Sequence, residues 1–208
     1  NGGPNAGHTV VMDDGRVFKL SQLPGATPYC SNVYIGPGCV INLNILLKEI
    51  EDLNTRNREI TVYIHPNTPI IEESHIKEDI KLEKKFKIGT TKQGISPCYA
   101  DFAKRTVKTI RDVYKTIHND KYNIKLSKNT LDRADVIDGL NANILIEGSQ
   151  GFQLDPYIGE YPFVTASSSH PGHLCASLGI PLSSVRDIFG VAKPYITYVG
   201  ESKQFVDM

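Results

Sequence analysis

The sequence lacks an excess of charge of either sign. Its 208 residues contain 23 lysines and arginines and 23 aspartates and glutamates, so the formal net charge at pH 7 is zero. Nucleic acids and anionic membranes attract basic proteins, and this balance therefore argues against both as partners, although a local basic site is compatible with it. The sequence also has no apolar run of membrane-spanning length and no signal-peptide pattern.

Cysteine is scarce as well, and the four cysteines lie far apart without Cys-x-x-Cys spacing. This gives no metal signature and favours a reduced, cytoplasmic protein. The hydrophobic content of 40% is that of an ordinary globular protein. Because the chain begins at Asn1 without a methionine, we expect a fragment, a single incomplete α/β domain over residues 1–208 that is truncated at both ends.

Hydrophobic periodicity predicts strands and helices that alternate along the chain, which indicates an α/β fold. The expected strands are a hairpin at 10–12 and 17–20, a strand from 33 with a short second strand ending at 41, a strand at 60–64, and strand-like runs in 187–199. The expected helices are 42–53 with Asn42 as N-cap, 72–86 with a solvated charged face, one from Pro97 to about 114, and 126–140.

Lys104 and Arg105 would then lie near the start of the helix after Pro97. The helix dipole disfavours cations at that end, so either a bound anion compensates them or they are two solvated surface charges.

The stretch from Ile144 to Phe152 has the pattern of a ligand-binding edge. Residues 143–146 form a short apolar run that predicts a buried strand, and Gly148 and Gly151 let the chain turn after it. In open α/β sheets ligands bind beyond the carboxyl ends of strands, which places Gln150 as a ligand contact. The alternative is a polar turn between core elements.

Two further loops have the composition of phosphate-binding segments. Residues 1–9 combine three glycines with Asn5, His8 and Thr9; glycines let backbone N–H groups approach phosphate oxygens, and a histidine can give a proton to an oxyanion. Residues 87–97 combine glycine, hydroxyl groups and lysine but do not match a P-loop. His170 and His173 could suggest a metal pair, but without a third ligand we favour helix-capping and loop roles.

As an ordered set, four motifs resemble the signature loops of adenylosuccinate synthetases. They are Asn-Ala-Gly-His-Thr at 5–9, Ile-Gly-Thr-Thr-x-x-Gly-Ile-x-Pro at 88–97, Glu-Gly-Ser-Gln-Gly at 147–151 and Tyr-Pro-Phe-Val-Thr at 161–165. The resemblance implies a P-loop-NTPase-like fold with a mixed, mainly parallel central sheet flanked by helices. It also implies a homodimeric ligase of purine biosynthesis that joins L-aspartate to the 6-position of a purine mononucleotide, with GTP as phosphoryl donor and Mg²⁺.

The resemblance also implies roles for individual residues. His8 would be the acid that assists phosphoryl transfer to the purine 6-oxygen, Gln150 would hydrogen-bond at the reacting 6-position, and the Gly7 carbonyl would help to hold magnesium. Arg105 would reach the 5′-phosphate of the neighbouring subunit. The implied nucleotide-substrate-binding residues are Asn5, Thr90, Thr91, Arg105, Gln150, Thr165, Val199 and Gly200.

Some segments differ from the family's usual sequence. The segment Thr197 to Asp207 lacks the arginine, glycine and prolines that family members usually have there. The family's usual Pro-Ser-Gly after the first hairpin is here Pro24-Gly25-Ala26. One alternative is therefore the phage 2-aminoadenylosuccinate synthetases, which act on dGMP with ATP or dATP. Another is a homologue that binds nucleotides without catalysis. The family's glycine-rich nucleotide loop is not in this sequence, which leaves open whether the fragment alone is active.

Overall fold

The computed structural model describes residues 2–119, 121–127 and 144–195. Strands and helices alternate over these ranges, as the sequence predicts. The strands are β1 (His8–Val11), β2 (Val17–Leu20), β3 (Asn32–Ile35), β4 (Thr61–Ile64) and β5 (Ile124–Leu126). The helices are α1 (Leu43–Thr55), α2 (Glu73–Phe86), α3 (Ile95–Lys104), α4 (Ile110–Ile117) and α5 (Pro171–Leu178). No helix in these ranges is long and apolar enough to cross a bilayer.

A parallel sheet forms the centre of the fold. Its strand order is β3-β4-β5, and Val33 lies opposite Val62, which in turn lies opposite Ile124. Parallel strands are covered on both faces and therefore need apolar side chains, and all three of these residues are at most 5% exposed. The predicted α/β class is confirmed.

β1 and β2 form the predicted antiparallel hairpin, with His8 opposite Leu20 and Val11 opposite Val17. The turn between them is closed by Met12 and passes through Gly15, which has a φ of +83°. One face of β2 enters the main hydrophobic core through Phe18 and Leu20. This packing fixes the position of β1, and therefore of His8.

Helix α1 follows its sequence pattern closely. The Asn42 side chain accepts hydrogen bonds from the backbone N–H groups of Asn44 and Ile45, which have no partner inside the helix. Leu46, Ile50 and Leu53 recur at helical spacing and are fully buried against the sheet. The predicted helix at 42–53 is confirmed and extends to Thr55.

The prediction of a single helix after Pro97 is wrong, because the chain forms two helices, α3 and α4, with a break between them. Lys104 lies in the last turn of α3, and Arg105 is its C-cap with a φ of +65°. These cations are therefore at the negative end of the helix dipole, where they need no bound anion to compensate them. A capping box between Thr109 and Asp112 starts α4 and is the local signal that reveals the break.

Two predicted strands are also wrong within the described ranges. Residues 144–146 have no strand partner there, and Leu145 is 71% exposed. Residues 187–195 form no strand either, and the remainder of that prediction lies outside the described residues. The short strand expected to end at 41 is reduced to isolated bridges. Residues 124–126 form β5 where a helix was expected to begin; the rest of that expected helix, from 128, lies outside the described residues.

We predict that Asn42→Ala lowers the free energy of unfolding by about 1 kcal/mol, because two N–H groups at the start of α1 lose their acceptor. Chemical denaturation measures the change. The matched control is Asn44→Ala, an exposed position in the first turn of the helix whose side chain does not cap it, where alanine should cost nothing. Equal losses in the two variants would contradict the capping role.

Candidate functional site

The first glycine-rich loop and the 147–151 loop meet, although 145 residues separate Asn5 from Gln150. The Gln150 amide donates to Asn5 Oδ1 at 3.2 Å and accepts from Ser149 Oγ at 3.0 Å. Gly2 has a φ of +101°, and a Cβ added to it would lie 1.9 Å from Ser149 Oγ. Only glycine therefore permits this close approach, which brings together two of the four sequence motifs.

Gln150 itself has a positive φ, 67°, a backbone conformation that is uncommon for residues with a side chain. Such backbone strain occurs often at functional sites, where the surroundings hold the residue in place. Here the conformation directs the amide towards Asn5. Gln150 thus lies in the expected polar turn, even though the strand predicted before it is absent.

His8 is held from both sides at the start of β1. Nδ1 lies 3.1 Å from the Ala6 carbonyl oxygen, and Nε2 lies 2.8 Å from the Leu23 carbonyl oxygen. Carbonyl oxygens only accept hydrogen bonds, so the neutral ring can donate to one of them and the doubly protonated ring to both. The two carbonyls therefore fix the orientation of the ring.

A cavity of about 620 Å³ lies beside His8. Gly7, His8, β3 and residues 144–149 all line it. The Glu147 carboxylate closes part of the wall by accepting from the Gly25 N–H, with both oxygens at 2.9 Å. The volume lies within the range of small-molecule pockets. The cavity can therefore hold a ligand in contact with His8.

Helix α2 organises the 87–94 loop through its carboxylates. Glu83 Oε2 lies 3.0 Å from the N–H groups of both Gly89 and Thr90, and Asp79 accepts from Gly94 N–H at 2.8 Å. Asp79 is only 2% exposed, so part of the segment predicted as a solvated charged face is buried. Three of the backbone donors in the segment that suggested phosphate binding, those of Gly89, Thr90 and Gly94, thus already contact a carboxylate.

Asp155, which the sequence analysis missed, organises the loop that contains Thr165. This carboxyl is fully buried and accepts hydrogen bonds from Ser168 Oγ and from three backbone N–H groups. Burial raises the pKa of the Asp155 carboxyl, but these hydrogen bonds outweigh it and hold the pKa below its ordinary value. Thr165 N–H donates to the Leu154 carbonyl at 2.7 Å, which fixes the loop next to Asp155.

His170 and His173 lie at the start of α5. His170 is the N-cap, and its Nδ1 accepts from Gly172 N–H at 3.0 Å. The capping role predicted for this pair of residues is confirmed for His170.

The remaining predicted site residues are dispersed. Arg105 is exposed, and its guanidinium forms no hydrogen bond or ion pair with another residue in the described ranges. Likewise, within those ranges, no hydrogen bond joins Thr90, Thr91 or Thr165 to the Asn5–Gln150 pair. Val199 and Gly200 lie outside the described residues.

We predict that the contribution of Asp155 to stability depends on pH. Because its folded-state pKa is lowered, the ionised carboxyl stabilises the fold above the unfolded-state pKa of about 3.9, and this stabilisation is lost as pH falls through the folded-state value. Asp155→Asn should therefore be clearly less stable than the wild type at pH 7, with a smaller difference at pH 3. Denaturation at both pH values measures this.

The exposed Asp187 provides the control for that experiment, since Asp187→Asn removes a surface carboxyl whose ion pair within the described ranges is with the exposed Arg186. A loss for Asp155→Asn that is equal at pH 7 and pH 3 would contradict the predicted linkage.

The sequence matches a known family along nearly its whole length. A family model described as adenylosuccinate synthetase matches residues 1–141 and 119–206. The adenylosuccinate synthetase of Thermoplasma acidophilum is 35% identical over 240 aligned positions, which cover 97% of this chain and 55% of the relative. That of Methanococcoides burtonii is 35% identical over 243 positions, which cover 96% of this chain and 57% of the relative.

Solved structures show the same relationship. A fully ligated adenylosuccinate synthetase from Plasmodium falciparum superposes with a TM-score of 0.79 and 29% identity, covering 96% of this chain and 56% of that one. Cyanophage S-2L succinoaminodeoxyadenylate synthetase, bound to dGMP and dATP, superposes with a TM-score of 0.72 and 27% identity, covering 86% of this chain and 50% of that one. The chain thus spans little more than half the length of these relatives, and it belongs to the adenylosuccinate synthetase family.

Proposed function

We propose that this chain supplies the purine-nucleotide side of the active site of a ligase that joins L-aspartate to the 6-position of a purine mononucleotide. The observation that carries the proposal is the hydrogen bond from Gln150 to Asn5, which joins two family motifs near the histidine-lined cavity. The proposed reaction is a step of purine nucleotide biosynthesis and takes place in the cytoplasm.

The reaction has two steps. First, the purine N1 gives its proton to a base and the γ-phosphoryl group passes to the purine 6-oxygen, so that a new P–O bond forms as the terminal P–O bond of the triphosphate breaks. The amine of aspartate then attacks C6, loses a proton and displaces inorganic phosphate, which carries away the former 6-oxygen. An amide-like oxygen is a poor leaving group, whereas phosphate leaves readily once its charge is compensated.

His8 is the proposed acid in the first step. To act as an acid the ring has to release one of its two carbonyl contacts, while the other contact keeps it beside the cavity. Gln150 is proposed to contact the 6-position, because its amide both donates and accepts. Asn5 holds that amide in place and is itself proposed to contact the 5′-phosphate of the nucleotide.

The other phosphate contacts are proposed to come from Thr90, Thr91 and Thr165. Because Glu83 accepts from the Gly89 and Thr90 N–H groups, we expect the threonine hydroxyls to be the main donors there. Arg105 is exposed at the end of α3 with its guanidinium turned to solvent or to a second subunit, which suits the proposed contact across a homodimer. Val199 and Gly200 are proposed to lie against the ribose.

Magnesium is proposed to bind near Gly7. This residue is exposed and lines the cavity, and its backbone carbonyl is the kind of oxygen ligand that a hard cation prefers. Magnesium bound there would neutralise charge on the phosphates.

GTP is the proposed donor with IMP as substrate. The similarity to the cyanophage enzyme, which is bound to dGMP and dATP, supports a second candidate that uses dGMP with ATP or dATP.

Calorimetry with IMP and with dGMP distinguishes the two substrates. We expect one of them to bind to this chain, and the preferred base decides between the candidates. Phosphate release by the complete gene product is then measured with and without aspartate. Nucleotide binding without aspartate-dependent release would favour a non-catalytic homologue and contradict the ligase.

We predict that His8→Ala lowers kcat by about 100- to 10,000-fold, the range that general acids contribute, and leaves nucleotide binding nearly unchanged. The readouts are aspartate-dependent phosphate release by the complete gene product, and calorimetry. Thr9→Ala is the matched control, because Thr9 is the exposed next residue of β1. Near wild-type turnover in His8→Ala would rule out the assigned role.

A further inference from the structure

Glu49 is a buried carboxylate that forms no ion pair with a cation in the part of the chain that the structure describes. It lies in α1 and is 8% exposed. Its partners are the backbone N–H groups of three successive residues and one hydroxyl. The contacts are Ser21 N at 2.7 Å, Ser21 Oγ at 3.0 Å, Gln22 N at 3.2 Å and Leu23 N at 2.9 Å. Hydrogen bonds to an ionised acceptor are the strong ones, so Glu49 fixes the 21–23 segment against α1.

The same segment holds the proposed acid. Leu23 gives its N–H to Glu49 and receives, at its carbonyl oxygen, the 2.8 Å hydrogen bond from His8 Nε2. The two groups belong to one residue whose side chain is 1% exposed, so the backbone there has little freedom to move independently. A displacement of the Leu23 amide therefore displaces the group that orients His8.

Gln22 provides a second attachment of the segment. Its side-chain amide donates to the Val40 carbonyl at 3.2 Å and accepts from Asn42 N–H at 3.0 Å. This attachment does not involve Leu23. Leu23 is instead held by the packing of its side chain in the core and by the hydrogen bond from its N–H to Glu49.

We propose that Glu49 is a positioning residue for His8, acting through the Leu23 backbone. It touches no reacting atom. Its effect on catalysis rests on the proposed function, whereas its effect on the orientation of the His8 ring does not. The alternative is that Glu49 only anchors the hairpin to α1, in which case its loss would destabilise the fold without changing the surroundings of the ring.

Glu49→Gln separates these possibilities. Glutamine keeps the size of the side chain, and its single oxygen can still accept from Ser21. Its NH₂ group would then face the Leu23 N–H, donor against donor, so the Leu23 contact is lost selectively. Glu51→Gln is the matched control, because Glu51 lies on the same helix and contacts Tyr122 and Lys121 instead.

NMR of the His8 ring is the decisive measurement, with the signals assigned by their disappearance in His8→Gln. In Glu49→Gln we expect the ring ¹⁵N resonances to shift and the nuclear Overhauser contacts between the ring and Leu23 to be lost. In Glu51→Gln both should persist. Unchanged ring signals in Glu49→Gln, with shifted amides at 21–23, would overturn the proposal and leave Glu49 as an anchor.

Glu49→Asp tests the same idea should the glutamine variant not fold. It keeps the charge but withdraws the carboxylate by one methylene, so we expect a partial loss of the ring contacts. Full retention of these contacts would also overturn the proposal.

Turnover of the complete gene product gives the second readout. A misplacement of a catalytic group by about 1 Å can cost 100-fold in rate, so Glu49→Gln should lower kcat by about that factor and leave KM for the nucleotide unchanged. Glu51→Gln should keep the wild-type kcat. An inactive wild type would refute the proposed function alone, because the ring signals still decide whether Glu49 positions His8.

Discussion

Carboxylates that accept several backbone N–H groups hold the loops of this site. Glu49 does so for residues 21–23, Glu83 for Gly89 and Thr90, and Asp155 for the loop that contains Thr165. Loop amides lack the partners that helices and strands provide, and leaving them buried without an acceptor is costly. An ionised carboxyl satisfies several at once, so each loop has one preferred position.

This arrangement has an electrostatic consequence for anionic ligands. At the 88–97 motif the amides of Gly89 and Thr90 already contact Glu83, so a phosphate at those amides would have to displace a negative group of the protein itself. Among the described residues, no carboxylate contacts the hydroxyls of Thr90 and Thr91 or the Arg105 guanidinium. The chain as a whole has no net charge, so attraction for a nucleotide has to come from a few local donors.

Local sequence patterns were sufficient to predict those elements whose structure does not depend on a distant partner. Helix α1 was predictable because Asn42 caps it and its leucines recur at helical spacing, and the first hairpin was predictable from its Asp-Gly turn. The absence of the strand predicted at 144–146 could not be foreseen, because an apolar run becomes a strand only beside a partner. Glu49 and Asp155 carry no local signal, since their partners lie 26 to 28 and up to 15 residues away.

The convergence of the motifs depends on close backbone packing as much as on polar groups. Gly2 approaches Ser149 more closely than any side chain would allow, and this brings Asn5 within reach of Gln150. Both amides are therefore already ordered before a nucleotide arrives, which reduces the entropy cost of binding. A ligand that hydrogen-bonds to the Gln150 amide must break the hydrogen bond between Gln150 and Asn5. Only a ligand that contacts both residues therefore replaces the lost hydrogen bond for each of them.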